Sequence, residues 1–110
     1  MKLPNGENAY VPLAKLTSYL LSDSHPVGRH KAQIFKNLGY DINNPAELEL
    51  GLLSIVEQWD VVETITSEYG TKYIVDGVLA TRVASELSVR TDWNTDVGET
   101  RPRFVTAYPV

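Results

Sequence analysis

The sequence predicts an α+β domain in which three N-terminal helices pack on one face of a four-stranded antiparallel sheet. Up to Trp59 the apolar residues recur every three to four positions, as on an amphipathic helix. Beyond it the period falls to two, and β-branched and aromatic residues take over. The connections between the predicted strands are short, which implies antiparallel neighbours rather than crossovers. With 110 residues and 43% hydrophobic content the chain can bury one core and has no room for a second, so residues 1–110 are read as a single domain.

The first helix is expected from Pro12 to Leu21, since proline suits the first helical position and Leu13, Leu16, Leu20 and Leu21 give one apolar face. Ser22-Asp23-Ser24 ends it. The second should start at His25-Pro26 and run to Leu38, with Ala32, Phe35 and Leu38 spaced by three and Gly39 as its stop. The third carries the fullest set of signals: Asn44 as cap, Pro45 just inside, Glu47 three residues after the cap, then Leu48, Leu52, Val56 and Trp59. Strands are expected at Val61 to Thr66, Thr71 to Leu79, Glu86 to Trp93 and Arg103 to Tyr108. Turns should fall at Glu68-Tyr69-Gly70, around Thr81 to Ala84, and at Asp96-Val97-Gly98. In the third strand Leu87, Val89, Thr91 and Trp93 alternate with Glu86, Ser88, Arg90 and Asp92, so one sheet face should be wet.

The chain has no cysteine, which excludes disulfides and thiolate metal sites, and its two histidines give no recognisable metal-ligand spacing. Neither a metal nor a cofactor is expected. There is no glycine-rich phosphate loop, dinucleotide fingerprint or nucleophile elbow. The residues after Met1 form no apolar signal core, and no stretch approaches the roughly 20 apolar residues that span a bilayer. A cytoplasmic protein without membrane contact is therefore expected.

The formal net charge is −4, but it is unevenly spread. Between Lys36 and Lys72 lie seven acids, Asp41, Glu47, Glu49, Glu57, Asp60, Glu63 and Glu68, and no lysine or arginine. That leaves seven acids against ten bases elsewhere, a net of +3. The stretch His25 to Tyr40 is wholly basic, so an anion could dock there despite the acidic total.

Two segments concentrate candidate chemistry. In Ser24-His25-Pro26-Val27-Gly28-Arg29-His30-Lys31, a helix begun by Pro26 sets His25 at the cap, beside unpaired N–H groups and the positive end of the helix dipole. Gly28 would let a phosphate approach, and Arg29 and Lys31 would neutralise it. Histidine, with a reference pKa of about 6.5, can exchange a proton at physiological pH, and the helix end would favour its neutral, basic form. Taken singly, each residue also fits a solvated helix entry, and His30 reads as a surface residue. In the C-terminal strand, regular alternation puts Phe104, Thr106 and Tyr108 on one face and Arg103, Val105 and Ala107 on the other, with Val105 and Ala107 in the core. Thr106 and Tyr108 then share the wet face with Arg90, while Arg103 starts on the helix side unless the strand bulges near Pro102.

Leu3-Pro4-Asn5, His25 to Ala32 with Phe35 and Gly39-Tyr40, Tyr69-Gly70 and Pro102 to Pro109 together resemble a small uncharacterised bacterial domain family, over nearly the whole chain. That family resembles the barnase, EndoU, colicin and RelE-like nuclease superfold, whose members are often metal-independent ribonuclease toxins. The resemblance implies RNA as substrate and a small cognate antitoxin or immunity protein as partner. By position it also implies that His25 and Lys31 on the helix and Arg103, Thr106 and Tyr108 on the last strand are catalytic, while the helix-start and wet-face readings above add Gly28, Arg29 and Arg90 as substrate-binding. One departure stands out: Trp93-Asn94-Thr95-Asp96 replaces an expected apolar strand, so the third strand should end early or be altered. A second reading is a non-catalytic immunity- or antitoxin-like domain that engages a basic partner through residues 41–68.

Overall fold

The computed structural model describes residues 1–22, 29–80 and 86–110. Among these, a 3-10 turn (Gly6–Asn8) precedes a helical segment, α1, that is α-helical over Leu13–Lys15 and π-helical over Leu16–Leu20. Helices α2 (Arg29–Asn37) and α3 (Pro45–Gln58) follow, then strands β1 (Val61–Ser67), β2 (Gly70–Ala80), β3 (Glu86–Asp96) and β4 (Arg103–Pro109). The strands form one antiparallel sheet in the order β1-β2-β3-β4. No helix among the described residues is long and apolar enough to cross a membrane.

The first helix departs from expectation. Pro12 caps it from outside, Leu13 is 65% exposed, and the backbone switches to i→i+5 bonding, with Leu21 N–H donating to the Leu16 carbonyl at 2.9 Å. A π turn brings positions i+4 and i+5 close to the same side, so Leu16, Leu20 and Leu21 can all be buried. The expected start of the second helix at His25-Pro26 lies outside the described residues. Its end follows the sequence: Tyr40 N–H donates to Phe35 O and Gly39 N–H to Lys36 O, the paired bonds of a Schellman stop, with Gly39 at φ 96°. Tyr40 and Phe35 are both buried beneath that turn. Helix α3 begins at Pro45 as read, although Asn44 forms no side-chain cap bond. Leu48, Leu52, Ile55 and Val56 make its buried stripe.

The helices do not lie side by side on one sheet face as expected. Helix α3 packs against β2, α1 reaches β4, and α2 packs on the π turn. The physical reason is the narrow apolar stripe of α2, in which Ala32 and Phe35 are buried while Gln33 and Asn37 are exposed. Val75, Leu79, Val89, Trp93, Phe104 and Ala107 are the sheet's share of the buried core. Trp93 and Phe104 meet edge to face, with centroids 5.3 Å apart.

Strand β3 does not end at Trp93. It continues through Asn94 and Thr95 to Asp96, paired residue for residue with β2 down to Gly70. The polar residues are tolerated because Asn94 is only half-buried and donates to Asp96 and to the Tyr69 carbonyl. The outer edge of β4 is covered by Tyr10, which makes an isolated parallel bridge to Arg103 through Tyr10 N–H to Pro102 O and Phe104 N–H to Tyr10 O. The expected turn at Thr81 to Ala84 falls outside the described residues.

Candidate functional site

The register of β2, β3 and β4 builds a polar ladder on the sheet face turned away from α3. Asp76 stands opposite Arg90, which stands opposite Tyr108. One step along, Asp92 stands opposite Thr106, and a further step brings Asn94 opposite Arg103. Arg103 joins this face because of a bulge. Asp92 pairs with Thr106 but Trp93 pairs with Phe104, leaving Val105 as an extra residue in β4. The bulge corrects the regular alternation: Phe104 goes into the core beside Trp93, whereas Val105 is only partly buried. Arg103, Thr106 and Tyr108 therefore share one face, joined by Arg90.

Each of these side chains is held. The Arg90 guanidinium forks onto Asp76, Nε to Oδ1 at 2.8 Å and Nη2 to Oδ2 at 2.9 Å, and faces Tyr108 across the strands. The hydrogen bond to Asp76, followed by its charge, raises the Arg90 pKa above the ordinary guanidinium value. Thr106 Oγ1 lies 3.1 Å from Tyr19 Oη, which reaches it from the π turn. Arg103 bonds Asp96 through Nη2 at 3.1 Å and Nε at 3.4 Å. Asp92, expected on a wet face, is 8% exposed, so the middle of the ladder is covered.

The ladder carries no excess of positive charge. On this face of β2, β3 and β4, Lys72, Arg90 and Arg103 are offset by Asp76, Glu86, Asp92 and Asp96, of which only Arg90 and Asp76 stand directly opposite each other. An anion docking there gains little from net charge, and any excess positive charge must come from other segments. Of the residues expected from the His25 segment, Arg29 and Lys31 are placed as backbone in the first turn of α2, with their side chains outside the described part. His25 and Gly28 lie outside the described residues altogether. Among the described residues no group of three or more His, Asp or Glu side chains is arranged to hold a metal.

Asp76, Asp92, Asp96 and Tyr19 were not anticipated as site residues. Alternation in β3 had already put Asp92 on the face of Arg90. Asp76 required the β2–β3 register, and Tyr19 required the π turn, neither of which is carried by a local motif. The Arg103–Asp96 pair predicts an acid response. Arg103 first, and then Asn94, hold the Asp96 carboxyl below its ordinary pKa. A folded-state pKa that is depressed contributes stability above the unfolded value, and this is lost as pH falls through the folded one. Melting temperatures of the native chain and Asp96→Asn should therefore converge below about pH 4 and separate above it. A pH-independent difference would contradict the pairing.

The architecture is thus an antiparallel meander sheet with an N-terminal helical layer and a cross-strand polar ladder on its other face. The chain belongs to the DUF6883 family, described as a domain of unknown function, which it matches over residues 2–110. No curated protein matches the sequence. Among solved structures, it is similar to a chain of the contact-dependent growth inhibition toxin–immunity protein complex from Klebsiella pneumoniae 342. The TM-score is 0.73 at 21% identity, with 97% of each chain covered, a likeness in fold.

Proposed function

We propose that this chain is a metal-independent ribonuclease toxin that acts in the cytoplasm and is neutralised by a small cognate immunity or antitoxin protein. The observation that carries the reading is the ladder, which gathers Arg90, Arg103, Thr106 and Tyr108 on one sheet face. The likeness of fold to a chain from a toxin–immunity complex supports a partner protein, and the resemblance to the barnase-type superfold supports the chemistry. In this reading His25 takes the proton of a ribose 2'-hydroxyl, whose oxygen bonds to the adjacent phosphorus. The bond to the 5'-oxygen breaks, and that oxygen takes up a proton. The products are a 2',3'-cyclic phosphate and a 5'-hydroxyl end. Lys31 and Arg103 stabilise the pentavalent phosphorane, and Thr106 and Tyr108 position phosphate or base. Gly28, Arg29 and Arg90 line the approach of the substrate.

Purified protein incubated with total RNA in EDTA is expected to leave cyclic phosphate ends. His25→Ala should lower the rate by about 10²- to 10⁴-fold, the usual contribution of a positioned base, and Tyr108→Phe should also impair cleavage. Cleavage that stops with chelator, or that survives both substitutions, sinks the assignment. A second reading is favoured by one specific observation: Glu57, Asp60, Glu63 and Glu68 are all exposed, together with Val62 and Ile65 of the outer strand β1. An immunity-like domain would engage a basic protein there. In that case RNA stays intact, and salt-sensitive binding to a basic partner is lost when Glu57, Asp60 and Glu63 are neutralised together.

A further inference from the structure

Within the ribonuclease reading, Arg90 has been treated as a substrate ligand, but its surroundings point elsewhere. Two of its five N–H groups are spent on Asp76 in a planar fork, and the Arg90–Asp76 pair carries no net charge toward an incoming phosphate. Both side chains are about two-thirds covered, Arg90 at 35% and Asp76 at 31% exposure, so neither swings freely in water. The cross-strand register sets Arg90 directly against Tyr108 on β4, so the guanidinium held by Asp76 is the phenol's neighbour on β3. A guanidinium carries only donors, so toward the phenol oxygen it presents N–H groups and no competing acceptor.

We infer that Asp76 is a positioning residue that acts through Arg90 to hold the Tyr108 ring in place at the site. The three residues sit at one level on three adjacent strands, so the unit is built into the sheet rather than into a loop. It accounts for a half-buried carboxylate on a face proposed to bind an anion: Asp76 costs electrostatic attraction and supplies orientation. This inference rests on the ribonuclease reading for its kinetic consequence and on the sheet geometry alone for its structural one.

The two can be separated in one experiment on the full chain. In Asp76→Asn, kcat for RNA cleavage should fall about 10- to 100-fold, the scale on which a displaced catalytic group acts. KM should stay the same or decrease, since a negative charge has been removed. Asp76→Glu, which keeps a carboxylate for the fork, should recover much of kcat, whereas a merely structural lesion would not produce this split. In parallel, ¹³C-labelled tyrosine spectra, with the Tyr108 signal identified from Tyr108→Phe, should show that signal shifted or broadened in Asp76→Asn. A native kcat in Asp76→Asn, or an unmoved Tyr108 signal, overturns the inference. If the native chain fails to cleave RNA while the Tyr108 signal still moves, the positioning unit stands and the ribonuclease reading falls.

Discussion

Replacing Trp93 with alanine is expected to remove about 3–5 kcal/mol of folding stability, the range for truncating a large buried aromatic. Trp93 is fully buried, packs edge-on against Phe104, and donates its indole N–H to Thr91 Oγ1 at 2.8 Å. Thr91 in turn donates to the Val75 carbonyl at 2.7 Å, so the indole closes a buried chain that runs from β3 to β2. Truncation leaves a cavity between three strands and strips Phe104 of its ring partner. Because Thr91 keeps its acceptor on β2, no buried donor is orphaned, and the loss is dominated by packing. Trp93→Phe helps separate the two contributions: it retains an aromatic against Phe104, removes the N–H and part of the ring volume, and should cost about 1 kcal/mol for the hydrogen bond plus the underpacking. Denaturant unfolding followed through Trp59 fluorescence measures both. A loss below about 1 kcal/mol for Trp93→Ala would show that this part of the core is loosely packed.

Gly70→Val is the second substitution with a large expected effect. Gly70 closes the β1–β2 hairpin at φ 121°, a conformation that costs a residue with a side chain about 1–3 kcal/mol. Here the steric demand adds to the conformational one, because a Cβ at this position would overlap the Thr95 carbonyl and press on Asp96 of β3. Overpacking of this kind costs a further 1–3 kcal/mol or so, so the total should reach about 2–6 kcal/mol. Gly98 provides the control. It has φ 81° in the β3–β4 turn, but nothing lies within 4 Å of the point a Cβ would occupy, so Gly98→Ala should show only the conformational cost, about 1–2 kcal/mol. Equal losses at both positions, measured by thermal or denaturant unfolding, would mean that contact with β3 contributes nothing to the difference.

The helix α3 and all four strands were legible because their signals are local: a cap with Pro45, a leucine stripe, and two-residue alternation interrupted by turn residues. What was missed depends on partners. Nothing within Arg103 to Pro109 marks Val105 as supernumerary, since Arg-Phe-Val-Thr-Ala-Tyr reads as an unbroken strand. The bulge exists only relative to β3, and so did the question of where Arg103 would point. The π turn is similar: Leu16, Leu20 and Leu21 suggest an ordinary amphipathic helix, and only the depth of the core demands that all three be buried. The continuation of β3 past Trp93 was hidden by its polar residues, which pair with β2 while leaving one side chain half in water. Of the candidate site, the β4 half was legible by residue type, and Asp76, its counterweight two strands away, was not.

The ladder also fixes a reach. Using β3 as a ruler, Tyr108 lies level with Arg90 and Arg103 level with Asn94, four residues further on. At about 3.3 Å per residue this is roughly 13 Å along the strand, several times the width of one phosphate group. With Arg103 turned to Asp96 and Thr106 standing between, Arg103 and Tyr108 as placed do not converge on one phosphate-sized point. A ligand that touches all three must be extended and must lie along the strand, so the proposed ribonuclease would take an oligonucleotide in preference to a mononucleotide.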